Sequence, residues 1–283
     1  MPSSRWCLSL LLMMGALAHA EPAVEPPAEQ APPHGSLTLT STVLKEQRHI
    51  LVYLPPGYDA PGATTRYPVL YMPDGGEQED FPHVAATVDA GIRAGELRPF
   101  IVVGIENTER RRDMTGPTRV AEDRKIAPRV GGSAAFRRFI RDELMPQVRQ
   151  RYRVTEERAI IGESLAGLFI VETFFLEPTL FDSYIALSPS LWWNRDELVR
   201  KAAERLARQP GPRGALYLAS ADEDTIAPQA ARLAEALKAH ASPGLRWRYE
   251  PRPDLTHGTI YRAVAPGALR QWLAPAPRAG APD

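Results

Sequence analysis

Two kinds of hydrophobic pattern alternate along this chain. Residues 37–44 and 49–54 alternate apolar with polar positions, as strands with one covered face do, and Pro55-Pro56-Gly57 closes the second. Short uninterrupted apolar runs follow at 69–72, 100–105, 159–161, 184–187 and 215–219, with a less apolar, outer one at 247–250. Continuous runs of this kind mark strands buried on both faces. Between them the apolar positions recur with helical spacing. Ala135, Phe136, Phe139, Ile140, Leu144 and Val148 share one face, and residues 165–175, 198–207, 230–239 and 263–272 repeat the pattern. Strand–helix alternation predicts an α/β domain with a mostly parallel, doubly wound sheet and an antiparallel N-terminal strand pair. In such sheets ligands gather at the carboxyl ends of the strands. Chemistry is therefore to be sought just after each apolar run.

The two ends of the chain follow neither pattern. Arg5, an apolar stretch from Leu8 to Met14 and the small-residue triplet Ala18-His19-Ala20 read as a cleavable signal peptide over residues 1–20. The stretch is shorter than the ~20 apolar residues a bilayer span needs. Residues 21–34 are rich in Pro, Ala and Glu and predict a disordered linker. Residues 274–283 predict a disordered tail, which leaves one domain over 35–273. The expected location is the periplasm or the medium. The single cysteine, Cys7, falls inside the signal segment, so the mature chain has no disulfide and no cysteine-based metal site.

Charge narrows the function classes further. Among 283 residues, 34 Lys+Arg balance 34 Asp+Glu, so there is no overall basic field for nucleic acid or an anionic membrane. With 44% hydrophobic and 24% charged residues the chain can build a sizeable core.

After the run at 159–161 comes Gly162-Glu163-Ser164-Leu165-Ala166-Gly167 and then an apolar helical segment. Strand, sharp turn and helix in this order form a nucleophile elbow, which lifts a serine hydroxyl above the sheet edge. Ser164 is the candidate nucleophile, and Ala166 stands where the strict motif has glycine. The base should follow later in the chain. Of six histidines, His19 leaves with the signal, His34 lies in the linker and His49 precedes the parallel strands. His83 belongs to the helix after the first parallel strand, and His240 ends a helix. His257, in a loop after the last strand, is the candidate base; imidazole titrates near neutrality and can take and return a proton. The acid is sought after the run at 215–219, where Asp222-Glu223-Asp224 offers three carboxylates. Glu223 is preferred, then Asp224, then Asp222, with the others solvated or capping the next helix. The oxyanion donors are expected from the backbone of Leu165 and from the glycine loop Gly75-Gly76 after the first parallel strand. No metal and no cofactor is called for.

These residues resemble a known family. The chain is similar to bacterial esterases related to the enterochelin (ferric-siderophore) esterases, within a wider group that includes esterase D, feruloyl esterases and mycolyltransferases. The landmarks are residues 52–58 (VYLPPGY), 67–75 (YPVLYMPDG), 104–107 (GIEN), 110–113, 139–146, the elbow, and 188–194 (SPSLWWN). The resemblance implies an α/β-hydrolase fold with a Ser/His dyad or triad, no cofactor and a small-molecule ester substrate. It also implies that an arginine of the run Arg110-Arg111-Arg112 meets an anionic ligand, with a solvated charge run as the alternative. Trp192 and Trp193 are candidate walls of a substrate pocket, at least one of them being core instead. Gly116 departs from the pattern, in which Thr runs directly into Pro. A serine esterase is the leading expectation. An acyltransferase using the same intermediate, and a non-catalytic binding protein on this scaffold, are the alternatives.

Overall fold

A computed structural model describes residues 30–208 and 214–274. The expected signal peptide, most of the linker and the tail beyond Ala274 lie outside the described residues. The sheet has eight strands in the order β1-β2-β4-β3-β5-β6-β7-β8. These are β1 (His34–Ser41), β2 (Glu46–Tyr53), β3 (Tyr67–Pro73), β4 (Ile101–Ile105), β5 (Val154–Glu163), β6 (Ser183–Leu187), β7 (Ala215–Ala221) and β8 (Trp247–Arg252). β2 runs antiparallel to β1 and to β4, and every other pairing is parallel. This is the α/β-hydrolase arrangement, with β1 and β8 as its outer strands.

Helices cover both faces. α1 (Phe81–Arg93) and α9 (His257–Leu273) lie on one side; on the other are α3 (Ser133–Arg138), α4 (Met145–Arg151), α5 (Leu165–Leu176), α6 (Trp193–Arg200), α7 (Ala202–Arg208) and α8 (Ala227–His240). The short α2 (Arg110–Met114) follows β4. Successive strand residues serve opposite cores. Tyr71 and Ile160 join the α5 side, while Leu70, Met72 and Ile161 join the α1/α9 side. Both faces being buried is why these strands read as unbroken apolar runs. α5 is buried on all sides from Leu165 to Phe175 and is the central helix.

The structure corrects several boundaries. β1 begins at His34, because residues 42–45 form the turn into β2. The His34 ring lies edge-on to Phe81 (centroids 5.1 Å apart), tying the end of the expected linker to the body. β5 extends well outside 159–161 because its first half, VTEER, is polar and carries no apolar run. The helical face at 135–148 is one continuous path with a π-helical turn, Phe139–Leu144, between α3 and α4. The helix expected at 198–207 breaks between α6 and α7, and Asn194, Arg195 and Asp196 form a left-handed turn (φ 51–52°). α9 starts at His257, so the candidate base is the first residue of a helix and not part of a loop. Among the described residues no helix is long and apolar enough to cross a membrane.

Candidate active site

The carboxyl edge of β5, β6, β7 and β8 collects the chemistry. Ser164 sits between β5 and α5 at φ 58°, ψ −117°, a conformation L-residues rarely adopt. Tight packing forces it. A Cβ on Gly162 would lie 2.6 Å from Ala166 Cβ, so the chain can turn here only with glycine before the serine and a small residue after it. Ala166, fully buried, fills the place of the missing glycine without a clash. The Ser164 N–H donates to Leu187 O (3.0 Å), and its carbonyl accepts from Ser190 N–H (3.0 Å) and Leu168 N–H (2.9 Å). Its Oγ is 3.3 Å from Ser190 Oγ.

Glu223 and His257 meet directly: Oε2 of the carboxylate accepts from Nδ1 of the imidazole at 2.7 Å. A reciprocal Thr256/Thr259 capping box fixes the start of α9 and with it the ring position. The imidazole side chain is 45% exposed and the carboxylate 15%. Asp222 and Asp224 are exposed. The other Glu223 oxygen, Oε1, accepts from Ser188 Oγ at 2.7 Å.

The glycine loop is occupied. Gly75 N–H donates to Ile105 O (3.0 Å), and Gly76 N–H donates to Glu79 Oε2 (2.7 Å). Gly75 passes so close to β4 that a Cβ would lie 2.3 Å from Ile105 N, which explains this glycine by packing. Neither N–H faces an open site in this state. Leu165 is different: as the first residue of α5 its N–H has no partner within the helix.

The arginine run is largely paired. Arg110 makes a two-pronged contact with Asp74 (2.6 and 2.8 Å), whose Oδ1 also accepts from Asn107 Nδ2 (2.5 Å). Arg112 binds Glu46 and Asp113. Arg111 donates to the Ile126 carbonyl (2.9 Å) and lines, with Arg110, Arg112 and Arg129, an open hollow of about 550 Å³. Trp193 is core: 4% exposed, with Nε1 donating to Gly116 O at 2.8 Å. A Cβ on Gly116 would strike the Glu172 carboxylate, so glycine is the residue that fits at this position. Trp192 remains half-buried beside it, with ring centroids 6.0 Å apart.

Sequence reasoning assigned no role to Ser188, Ser190, Glu79, Asp80 or Glu163. Glu163 points to the same face as Ile161, toward α1 and α9. Its Oε1 is buried without a hydrogen-bond partner. Burial, then the negative charges of Asp80 and Glu223, pushes its pKa up to about 8. Burial and the Asp74 charge raise Asp80 to about 6. The folded chain therefore holds the Glu163 proton to about pH 8, whereas an unfolded glutamate releases it near 4.5. Between those values the unfolded chain binds fewer protons, so stability falls as pH rises. Glu163→Gln removes that loss. It should raise Tm by several degrees at pH 8 and hardly at pH 4.5, at about 2–4 °C per kcal/mol for a domain of this size. A Tm difference that does not change with pH would reject this account.

Among the described residues no group of three or more His, Cys, Asp or Glu is placed to hold a metal ion.

Comparison with known proteins identifies the family and the fold. A family model described as "Putative esterase" matches residues 41–250. The ferri-bacillibactin esterase of Bacillus subtilis is 31% identical over 173 residues, covering 54% of this chain and 57% of that protein. The siderophore triacetylfusarinine C esterase of Aspergillus fumigatus is 40% identical over 84 residues, covering 29% of this chain and 27% of that one. The chain thus matches just over half the length of the first relative and about a quarter of the second. The crystal structure of an IroE-like serine hydrolase from Shewanella oneidensis superposes with a TM-score of 0.76 at 26% identity, covering 85% of this chain and 80% of that one.

Proposed function

Because the chain belongs to the Esterase family, whose model spans residues 41–250, we propose that it is a serine esterase acting on siderophore-type esters in the periplasm or the medium. The observation that carries this reading is the 2.7 Å Glu223–His257 contact at the sheet edge that presents the strained Ser164. In the mechanism, Ser164 Oγ turns from Ser190 and attacks the ester carbonyl while His257 Nε2 takes its proton. Glu223 holds the ring through Nδ1 and stabilises the imidazolium. The free N–H of Leu165, at the positive end of α5, receives the developing oxyanion. The same function falls to Gly76 N–H when Glu79 releases it. His257 then protonates the leaving alcohol, the acyl-enzyme forms, and a water activated by the same imidazole hydrolyses it.

The siderophore class is supported by the names of the relatives and by Arg111, which is held by a carbonyl and not a carboxylate at the edge of the arginine-lined hollow. Guanidinium suits catecholate or carboxylate oxygens. The test is hydrolysis of a ferric catecholate ester, a hydroxamate ester, a feruloyl ester and a p-nitrophenyl ester by wild type, Arg110→Ala and Arg111→Ala. Arg111→Ala should raise KM for the catecholate ester about tenfold and leave the p-nitrophenyl ester nearly unchanged. Arg110→Ala should slow both, because Asp74 loses its two-pronged partner and the loop loosens. Efficient turnover of the p-nitrophenyl or feruloyl ester without turnover of either siderophore ester would reject the substrate class while keeping the esterase.

A further inference from the structure

The turn Ser188-Pro189-Ser190 lies between the two halves of this machinery. Ser188 follows β6 at φ 36°, again left-handed, and is fully buried. Its N–H donates to Ala219 O (2.9 Å), which fastens it to β7. Its Oγ accepts from Ala221 N–H (3.1 Å) and donates to Glu223 Oε1 (2.7 Å). A hydroxyl has one proton. With the Ala221 N–H aimed at its oxygen, that proton is directed to the carboxylate. Glu223 is thereby gripped at both oxygens, by Ser188 at Oε1 and by His257 at Oε2. Two residues on, Ser190 holds the Ser164 backbone and approaches its hydroxyl. Pro189 is wedged against the first turn of α5, where a Cβ on Gly167 would lie 3.0 Å from Pro189 Cα. The turn therefore cannot slide relative to the elbow.

We infer that Ser188 is a positioning residue: its hydroxyl locks the Glu223 carboxylate in the rotamer that keeps His257 oriented. The inference rests on the reading of Glu223 as the acid. A glutamate side chain has three rotatable bonds, and a single contact to a half-exposed imidazole leaves the carboxylate free to turn away. A second, buried donor on the other oxygen removes that freedom. A serine kept fully buried at a left-handed φ is not explained by packing, because glycine fits that conformation without strain.

The test uses Ser188→Gly, which keeps the backbone and removes the hydroxyl, alone and combined with Glu223→Ala. The readouts are kcat and KM on p-nitrophenyl acetate, with thermal melts to confirm folding. Ser188→Gly should lower kcat about ten- to thirtyfold, the scale of one hydrogen bond to a charged group, with KM within about twofold. In the Glu223→Ala background the same change should cost less than about twofold, because nothing remains for the hydroxyl to hold. Wild-type kcat in Ser188→Gly, or an equal loss in both backgrounds, overturns the inference and leaves the acid assignment standing. Wild-type kcat in Glu223→Ala overturns both.

Discussion

Ser164→Ala should fold like the wild type and lose ester hydrolysis by roughly four to six orders of magnitude, as expected for a member of a catalytic unit. The substitution removes one oxygen and leaves the elbow's restraints in place. The Ser164 N–H still reaches Leu187 O, its carbonyl still accepts from Ser190 N–H, and alanine bears the same backbone strain at φ 58°. Stability should therefore change by less than about 1 kcal/mol. Labelling by a fluorophosphonate, followed by intact mass, should be stoichiometric in the wild type and absent in the variant. A folded Ser164→Ala that turns over a p-nitrophenyl ester at the wild-type rate would remove the nucleophile from this serine.

His257→Ala should lose about as much, and the double variant with Ser164→Ala should be no worse than either alone. Residues that act as one unit do not contribute separately: without a base the hydroxyl is a poor nucleophile, and without the hydroxyl the base has no proton to take. The imidazole is 45% exposed and makes its contact at the first turn of α9, so its loss should scarcely alter folding. The decisive comparison is kcat/KM across the single and double variants, measured with protein passed through a folding check. Retention of more than about a tenth of wild-type activity in His257→Ala would exclude it as the base.

How much of this was legible in the sequence depended on the physics of each signal. Strands β3, β4, β6 and β7 announced themselves because burial on both faces leaves few polar positions. The first half of β5 did not, because Thr155, Glu156, Glu157 and Arg158 lie where the strand emerges at the amino edge of the sheet. The elbow was readable because its steric demand is local: glycine, a turn and an apolar helix within a few residues. The candidate acid was harder to read, since three adjacent carboxylates look alike in sequence; what separates Glu223 from its neighbours is its contacts with Ser188, just after β6, and with His257 on α9. The resting state of the glycine loop is illegible for a related reason: Gly75 N–H goes to Ile105 O and Gly76 N–H to the Glu79 carboxylate, contacts that no linear pattern signals. Sequence does not separate the three arginines of the run, because each guanidinium finds a different partner in the fold: Arg110 pairs with Asp74, Arg112 with Glu46, and Arg111 with a carbonyl. Ser188 carries no sequence signal for a role, since a positive φ and a buried hydroxyl leave no mark in a linear pattern.

The unlike edges of the sheet bear on how copies of this chain can assemble. An outer strand is a template for another strand unless something blocks it. On β8 Pro251 has no N–H to offer, and Arg248, Glu250 and Arg252 place charge along the edge, so that side resists extension. β1 carries no such guard along Leu37-Thr38-Leu39-Thr40. A second copy that paired through its sheet would have to meet β1 with β1, because the β8 edge of each copy is blocked. Such a pair would present only β8 edges outward and could not grow further through its sheet.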